Sequence, residues 1–160
     1  MSIRFRAVTT EAEVVLLDAA LRALSHDLGD THRATIDALR GGLTGGIPAA
    51  HGLLAGEGCV TGAALYGPVF STALGAAGVY VSDLWVDSAA RGQGLGGAVL
   101  AEVARRAGAM WGAEWMTLTV YDHSTGSRRF YERLGFAPQA SVTQMRLPQA
   151  GFERLKGEAR

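Results

Sequence analysis

Apolar and polar residues alternate along the chain with two different periods, and the changes between them predict a mixed α/β fold. Runs of period two predict strands at Ile3–Val8, His51–Ala55, Cys59–Tyr66, Val79–Asp87, Trp115–Tyr121 and Ser141–Leu147. Runs of helical spacing predict helices from Thr10, over Thr31–Leu39, from Leu95 to Gly108 and from Ser124 to Leu134, with a weakly helical tail from Gln149. The resulting order is β-α-α-β-β-β-α-β-α-β, with no internal repeat and no linker.

Local signals predict where several of these elements begin and end. Thr9 or Thr10 caps the first helix, and Glu13 is placed to complete a capping box. Ser124 is a natural N-cap for the last long helix, which Gly135 ends. The glycine-rich run 41–46 predicts a flexible connection before Pro48.

Composition narrows the class of protein. The 160 residues fit one domain, 1–160, and 15 basic residues balance 15 acidic ones. A nucleic-acid partner normally requires a basic excess, so none is expected. No stretch approaches the roughly 18 consecutive apolar residues of a membrane span, and the N-terminus has no signal-like apolar region. We therefore expect a cytoplasmic protein with no membrane partner.

The single cysteine, Cys59, lies in a strand-like stretch and is interpreted as a small core residue. It cannot form an internal disulfide or a cysteine-based zinc site by itself. A covalent route through its thiol is disfavoured, because it is far in sequence from the chemistry-bearing segments.

The strongest chemical signal is a glycine-rich turn between a strand-like run and a helix. A turn of this kind can direct several backbone N–H groups, and the positive end of the helix dipole, at one anion. An arginine at its start adds a full positive charge and several guanidinium N–H donors. The predicted ligand is a pyrophosphate-bearing cofactor, held by Arg91, Gly92, Gln93, Gly94, Leu95, Gly96 and Gly97.

This turn satisfies two motifs formally. Gly92, Gly94 and Gly97 match G-x-G-x-x-G, which in dinucleotide-binding folds follows the first strand almost directly. Here residues 87–90 and several predicted strands come first, so the context argues against that fold. Arg91, Gly94 and Gly96 match R-x-x-G-x-G instead.

A second segment, residues 127–136 (Ser-Arg-Arg-Phe-Tyr-Glu-Arg-Leu-Gly-Phe), follows about thirty residues later. Together the two segments resemble the signatures of the GNAT superfamily of acyl-CoA N-acyltransferases. The resemblance implies a twisted, mostly antiparallel mixed sheet with splayed central strands and helices on both faces. It also implies acetyl-CoA as co-substrate, with its pyrophosphate at the glycine turn and Tyr131 as the general acid near the thioester sulfur. A packing role for Tyr131 is the alternative.

A closer similarity, to the diamine (spermidine/spermine-type) N-acetyltransferases, covers nearly the whole chain. It includes Ala64–Tyr66, Phe70–Thr72 and the run Val79–Val86. The resemblance implies a diamine-like, polyamine-like or lysine-like acceptor, and residues 148–160 as a C-terminal arm of a homodimer. The subgroup usually has a glutamate directly before Asp83, where this chain has Ser82.

The resemblance extends to further site residues. The backbone of Leu84, Trp85 and Val86 is suited to bind the pantetheine arm, and Ser124 and Ser127 occupy further cofactor positions. Asp83 could hold an ammonium group or make a structural bond within the sheet. Asp27 and Asp30 could bind a cationic amine or only end a helix. The predicted acceptor residues are Asp27, Ser82, Asp83 and Asp122, and no metal site is expected.

The sequence thus predicts an N-acetyltransferase that moves an acetyl group from acetyl-CoA to a primary amine of a small molecule by direct attack in a ternary complex. One alternative is a non-catalytic acyl-CoA-binding sensor. Another is an enzyme of the same superfamily that acts on an amino acid, an antibiotic amine or a protein N-terminus.

Overall fold

The computed structural model describes residues 2–157. Their contacts divide the chain into two compact units, Met1–Tyr121 and Asp122–Arg160. A single domain over 1–160 stays a prediction. Residues 158–160 of the predicted arm 148–160 lie outside the described part.

The first unit contains a five-stranded sheet and three helices. The strands lie in the order β1-β2-β3-β4-β5; successive neighbours are antiparallel except for the parallel pair β4–β5. In chain order the elements are β1 (Phe5–Ala7), α1 (Glu11–Leu28), α2 (Ile36–Leu43), β2 (His51–Ala55), β3 (Gly62–Ser71), β4 (Ala76–Val86), α3 (Leu95–Trp111) and β5 (Trp115–Leu118).

Helices cover both faces of this sheet, as predicted. A Cβ atom on Gly52 in β2 would collide with Leu17 of α1, whereas one on Gly62 in β3 would press against Val99 of α3. Gly52 and Gly62 therefore face opposite sides of the sheet. The core on the α1 side comprises Val8, Val14, Leu17, Ala20, Leu21, Leu39, Leu43, Leu54, Ala63 and Trp85.

The start of α1 forms as the sequence predicts. The Thr10 hydroxyl accepts a hydrogen bond from the Glu13 N–H at 3.3 Å, and the Glu13 carboxylate accepts one from the Thr10 N–H at 2.9 Å. The helix ends at Gly29, which has a left-handed conformation with φ of 72°. This reciprocal cap confirms the predicted capping box.

The second helix begins later than predicted. The prediction of a helix over Thr31–Leu39 is wrong at its start, because residues 31–35 are irregular and the Thr35 hydroxyl caps a helix that begins at Ile36. That helix continues to Leu43 and takes in Gly41 and Gly42, which were predicted to lie in a flexible connection. Burial of Leu39 and Leu43 against the α1 side outweighs the low helix propensity of the two glycines.

The middle strands match their predictions in existence but not in length. The strand predicted over Cys59–Tyr66 begins at Gly62 and runs to Ser71, so Cys59 lies in the exposed β2–β3 connection. Its interpretation as a buried core residue is wrong. β4 begins at Ala76, α3 continues to Trp111, and β5 ends at Leu118 rather than Tyr121.

The second unit contains two helices, α4 (Thr125–Arg133) and α5 (Gln149–Lys156). The strand predicted at Ser141–Leu147 is not formed; residues 142–148 are irregular, and 142–147 are exposed. In an extended conformation the side chain of Val142 would point to one face of the strand, and those of Met145 and Leu147 would point to the other. Neither face would then carry all three apolar side chains. Among residues 2–157, no helix has both the length and the apolar character needed to cross a membrane.

Candidate functional site

The parallel strands β4 and β5 pair over only part of β4. Their register runs from Gly78 opposite Trp115 to Val81 opposite Leu118, whereas β4 continues to Val86. On its other side β4 stays paired with β3 as far as Val86. The last part of β4 therefore has a sheet neighbour on one side and, among the described residues, no pairing to β5 on the other. This is the predicted splay of the central strands.

A β-bulge lies where the two strands part. Val81 is opposite Tyr66 and Asp83 is opposite Leu65, so Ser82 is the extra residue on β4. The Ser82 hydroxyl donates toward the Leu65 carbonyl at 3.2 Å and the Asp83 carboxylate at 2.8 Å. The bulge sets which side chains face α1 over the rest of the strand.

Asp83 lies on the α1 side of the sheet, and Leu84 lies on the α3 side. Asp83 is opposite Leu65, which packs against the α1-side core, whereas Leu84 is opposite Ala64. Burial raises the pKa of the Asp83 carboxyl group above its ordinary value, while the Ser82 hydrogen bond and the charge on His32 act in the opposite direction. Asp83 is a partly buried acid with acceptor positions beyond its bond to Ser82.

The glycine-rich turn follows β4 after a short 3-10 turn at Ser88–Ala90. Gly92 and Gly94 adopt left-handed conformations, with φ of 74° and 81°, and Gly94 is the N-cap of α3. A Cβ atom at either position would meet no other atom of the chain within 4 Å. The first intrahelical bond runs from the Ala98 N–H to the Gly94 carbonyl at 3.1 Å, so earlier N–H groups of the turn are available to a ligand.

This open backbone suits a pyrophosphate. A phosphate group could approach without meeting side chains at Gly92 and Gly94, and the N-terminal end of a 17-residue helix supplies partial positive charge. The Asp87 carboxylate supports the turn by accepting from the Ala89 N–H at 2.9 Å. Gln93 donates its amide to the Ala89 carbonyl at 3.2 Å, so its side chain shapes the turn itself.

The structure pairs two residues that were predicted to bind different ligands. The Arg91 guanidinium donates to the Asp27 carboxylate at 2.6 Å and to the Val86 carbonyl at 3.0 Å. Arg91 was predicted to bind the cofactor and Asp27 the acceptor. Their ion pair joins the end of α1 to the turn, and the same guanidinium uses one acceptor position of the Val86 carbonyl.

The other acidic residue at the end of α1 is also engaged. Both carboxylate oxygens of Asp30 accept from the Tyr121 hydroxyl, at 3.0 and 2.9 Å. Tyr121 follows β5, whereas Arg91 follows β4. The end of α1 and the residues after it are thus bonded to the segments that follow both strands.

Four of the predicted site residues belong to the second unit. Ser124 occupies the N-cap position of α4, as predicted, but its side chain makes no capping bond there. Asp122 and Ser127 are exposed. Tyr131 is half-buried on α4, with ring contacts to Phe130 and Phe136 at centroid distances of 5.1 and 5.5 Å. Burial raises the pKa of the Tyr131 hydroxyl above its ordinary value, so it stays protonated at neutral pH.

Two polar residues, one on α1 and one in the segment after it, were not among the predicted site residues. Asp18 is 5% exposed on α1, and His32 lies in the irregular segment after it, 3.5 Å from Asp18. The helical spacing carried a signal, because Asp18 lies four residues after Val14 and three before Leu21, on the apolar stripe. Within the described chain no group of three or more His, Cys, Asp or Glu residues is arranged to hold a metal ion.

The chain matches the model of the acetyltransferase (GNAT) family over residues 19–136. Among solved structures it resembles an integron cassette protein from V. cholerae, with a TM-score of 0.73, 21% identity and coverage of 98% of each chain. No curated protein matches it.

Two solved acetyltransferases are also similar. One is the ribosomal-protein-alanine N-acetyltransferase of Brucella melitensis biovar Abortus 2308, with a TM-score of 0.71, 17% identity and coverage of 91% of this chain and 100% of that one. The other is an aminoglycoside acetyltransferase from an uncultured soil metagenomic sample, with a TM-score of 0.71, 19% identity and coverage of 92% and 100%. At these identities the similarity shows the fold.

The raised pKa of Asp83 gives a prediction about stability. Above about pH 4 the unfolded chain binds fewer protons at this carboxyl than the folded chain, so the free energy of unfolding falls as the pH rises through the raised pKa. Asp83→Asn removes the carboxyl group, and with it this fall in the free energy of unfolding. We expect the variant to unfold at a higher temperature than the wild type near pH 7.5, with the difference shrinking toward pH 4, in thermal unfolding followed by circular dichroism.

Glu57→Gln, at an exposed position of the β2–β3 connection, is the control for removing a carboxylate. A lower unfolding temperature for Asp83→Asn near pH 7.5 would contradict the prediction. It would mean that the ionised carboxylate stabilises the fold.

Proposed function

Because this chain belongs to the acetyltransferase (GNAT) family, we propose that it transfers the acetyl group of acetyl-CoA to a primary amine of a small molecule. The family uses acetyl-CoA as co-substrate. The proposed acceptor is a diamine, a polyamine or a lysine-like compound, and the amine attacks the thioester directly in a ternary complex.

One observation carries the proposal: β4 loses its pairing to β5 after Val81 and leads into a turn with two left-handed glycines at the start of α3. An extended strand with one free side can hydrogen-bond the amides of an extended ligand. The backbone of Leu84 and Trp85 is therefore proposed for the pantetheine arm, and the turn from Gly92 to Gly97 for the pyrophosphate. Arg91 would add positive charge beside it.

The choice of a cationic acceptor rests on Asp83. It is a partly buried carboxylate on the α1 side of β4, beyond the last β4–β5 pair, and its bond to Ser82 leaves acceptor positions for an ammonium group. Asp27 and Asp30 are bonded to Arg91 and Tyr121, so they are proposed to shape the acceptor side rather than to hold the amine. The two solved acetyltransferases described above are named for amine acceptors, an aminoglycoside and a protein alanine.

Tyr131 is the proposed proton donor to the departing sulfur. The raised pKa of its hydroxyl keeps the proton available at neutral pH, and the thiolate that forms as the C–S bond breaks can accept that proton. The diamine subgroup, a homodimer joined through residues 148–160, a cytoplasmic location and cofactor roles for Ser124 and Ser127 stay predictions from the sequence.

A panel of acceptors tests the function. Thiol release from acetyl-CoA is measured with mono-, di- and polyamines, lysine, an aminoglycoside and a peptide with an N-terminal alanine. We expect saturable release that depends on the amine and is fastest with di- or polyamines, because a long cationic chain can place one ammonium group at Asp83. The product mass confirms transfer.

The same panel separates the alternatives. Tight acetyl-CoA binding with no release by any amine would favour the acyl-CoA sensor and overturn the proposed activity. Release with only the aminoglycoside or the peptide would retain the acetyltransferase and replace the proposed acceptor.

The glycine turn gives a prediction for cofactor affinity. Gly94→Val adds a branched side chain where the phosphates are proposed to approach, at a position with φ of 81°. We expect the dissociation constant for acetyl-CoA, measured by calorimetry, to rise more than about tenfold, a loss of roughly 1.4 kcal/mol.

Gly75→Val is the matched control, because Gly75 also has a left-handed conformation, with φ of 68°, and open space around its Cβ position, but lies in the β3–β4 connection. The Gly75→Val variant introduces a similar backbone strain at a position where no contact with the cofactor is proposed. Equal acetyl-CoA affinity in both variants would place the pyrophosphate elsewhere.

Removal of the Tyr131 hydroxyl tests the proton donor. We expect Tyr131→Phe to lower kcat by about a hundredfold, within the range of general acid catalysis, while the acetyl-CoA dissociation constant stays within about twofold. Tyr66→Phe is the control, since Tyr66 is also buried with a raised pKa and has no proposed role. Full turnover by Tyr131→Phe would assign the proton donor to another group.

A further inference from the structure

The Arg91–Asp27 ion pair joins the glycine turn to the last turn of α1. Nη2 of Arg91 donates to Oδ2 of Asp27 at 2.6 Å, and Nε of Arg91 donates to the Val86 carbonyl at 3.0 Å. Both side chains reach the surface, since that of Arg91 is 52% exposed and that of Asp27 is 39% exposed. The pair is therefore accessible to a ligand that approaches the turn.

The two contacts of Arg91 differ in charge and in origin. The Val86 carbonyl is a neutral acceptor five residues earlier in the chain, whereas Asp27 is an anion 64 positions away on another element. Oδ1 of Asp27 lies 4.0 Å from Nδ1 of His26, which is beyond hydrogen-bond distance. Arg91 can thus leave Asp27 and still be oriented by the Val86 carbonyl.

Asp27 and the proposed pyrophosphate would compete for the same guanidinium. A carboxylate that balances the charge of Arg91 weakens its attraction for a second anion, and the two anions repel each other across it. Two phosphate groups carry more negative charge than one carboxylate, and charge-assisted bonds from arginine to phosphate are strong. A diphosphate bound at the turn should therefore displace Asp27 from Arg91.

The displaced carboxylate would belong to the proposed acceptor side. Asp27 bonds to Arg91, which follows β4, and Asp30 bonds to Tyr121, which follows β5. The end of α1 is thus connected to the segments after the two strands that separate. An unpaired negative charge on Asp27 would favour a cationic amine there, whereas its pairing with Arg91 cancels that charge.

We propose that the Arg91–Asp27 ion pair couples the cofactor site to the acceptor site. The pyrophosphate of acetyl-CoA takes Arg91 from Asp27, and the released carboxylate raises the affinity for a cationic amine. This inference rests on the proposed function, and it has Asp27 act through Arg91 and through its charge rather than by contact with the amine. By linkage, the amine must raise the affinity for the cofactor by the same factor.

The first test measures acetyl-CoA affinity by calorimetry without an amine. We expect Asp27→Asn to lower the dissociation constant about threefold, because the cofactor no longer has to break an ion pair, and exposed pairs are weak. Arg91→Gln should raise the dissociation constant. In the Arg91→Gln background Asp27→Asn should have almost no further effect, because the partner through which it acts is absent. A purely structural role of Asp27 would give the same change in both backgrounds.

The second test measures the coupling with coenzyme A, which binds without reacting, and the acceptor that is turned over fastest in the panel. We expect a saturating amine to lower the dissociation constant of coenzyme A about threefold in the wild type and not in Asp27→Asn. In turnover, Asp27→Asn should raise KM for the amine by a larger factor than it lowers kcat, because it removes charge from the acceptor side but no reacting group.

Asp37→Asn is the matched control. Asp37 is exposed and also bonded to an arginine, Arg40, but both belong to α2, and neither has a proposed contact with a ligand. This variant removes the same charge from another Asp–Arg pair, so it should keep the wild-type cofactor affinity, coupling and KM. Thermal unfolding of each variant checks that the fold is retained.

The outcomes distinguish this inference from the proposed function. An active wild type whose Asp27→Asn variant binds acetyl-CoA equally or more weakly would overturn the coupling alone. The same conclusion follows if Asp27→Asn tightens binding equally with and without Arg91, or if the amine still strengthens coenzyme A binding in Asp27→Asn. A wild type that binds no acetyl-CoA, or acetylates no amine, would overturn the proposed function and this inference with it.

Discussion

The incomplete pairing of β4 with β5 is the constraint on which the candidate site depends. Two parallel strands that stayed hydrogen-bonded to their ends would use the backbone groups of both and leave no room for an extended ligand. Here the pairing stops at Val81 and Leu118, while pairing to β3 keeps the rest of β4 extended. A rigid strand with one free side thereby leads directly into the glycine turn.

The bulge at Ser82 adds a second effect to this separation. One extra residue reverses which side chains face α1, so Asp83 and Trp85 lie on the α1 side over the last part of the strand. Trp85 joins the apolar core there, and the partial burial of Asp83 raises the pKa of its carboxyl group. The same local irregularity thus anchors the strand and places an acid next to the separation.

Acidic residues near α1 divide into two groups with different physical roles. Asp27 and Asp30 are bonded to Arg91 and Tyr121, and so connect the end of α1 to the segments after β4 and β5. Asp18 and Asp83 are more buried. His32 lies 3.5 Å from Asp18, and partial burial raises the pKa of Asp83. Polar groups buried in this way reduce stability unless they are satisfied, and such positions concentrate at functional sites.

The sequence by itself determined the fold class, the order of most elements and the glycine turn. The Thr10–Glu13 cap and the glycine turn before α3 are local signals, and both formed as expected. It did not determine where the strands begin and end. Cys59 lies before β3, and residues 141–147 form no strand. Burial against neighbouring elements decides whether a short apolar run pairs as a strand.

Only the tertiary structure decided which charged residues meet. Arg91 and Asp27 are 64 positions apart, and Tyr121 and Asp30 are 91 apart, so no local pattern could pair them. Asp18 and His32 gained their importance in the same way, since a single aspartate on an apolar helix stripe and a histidine in a loop have no chemical meaning until packing removes both from water. The hydrophobic period depends on residues that are adjacent in the sequence, whereas the ionisation of a charged group depends on residues that the fold brings close in space.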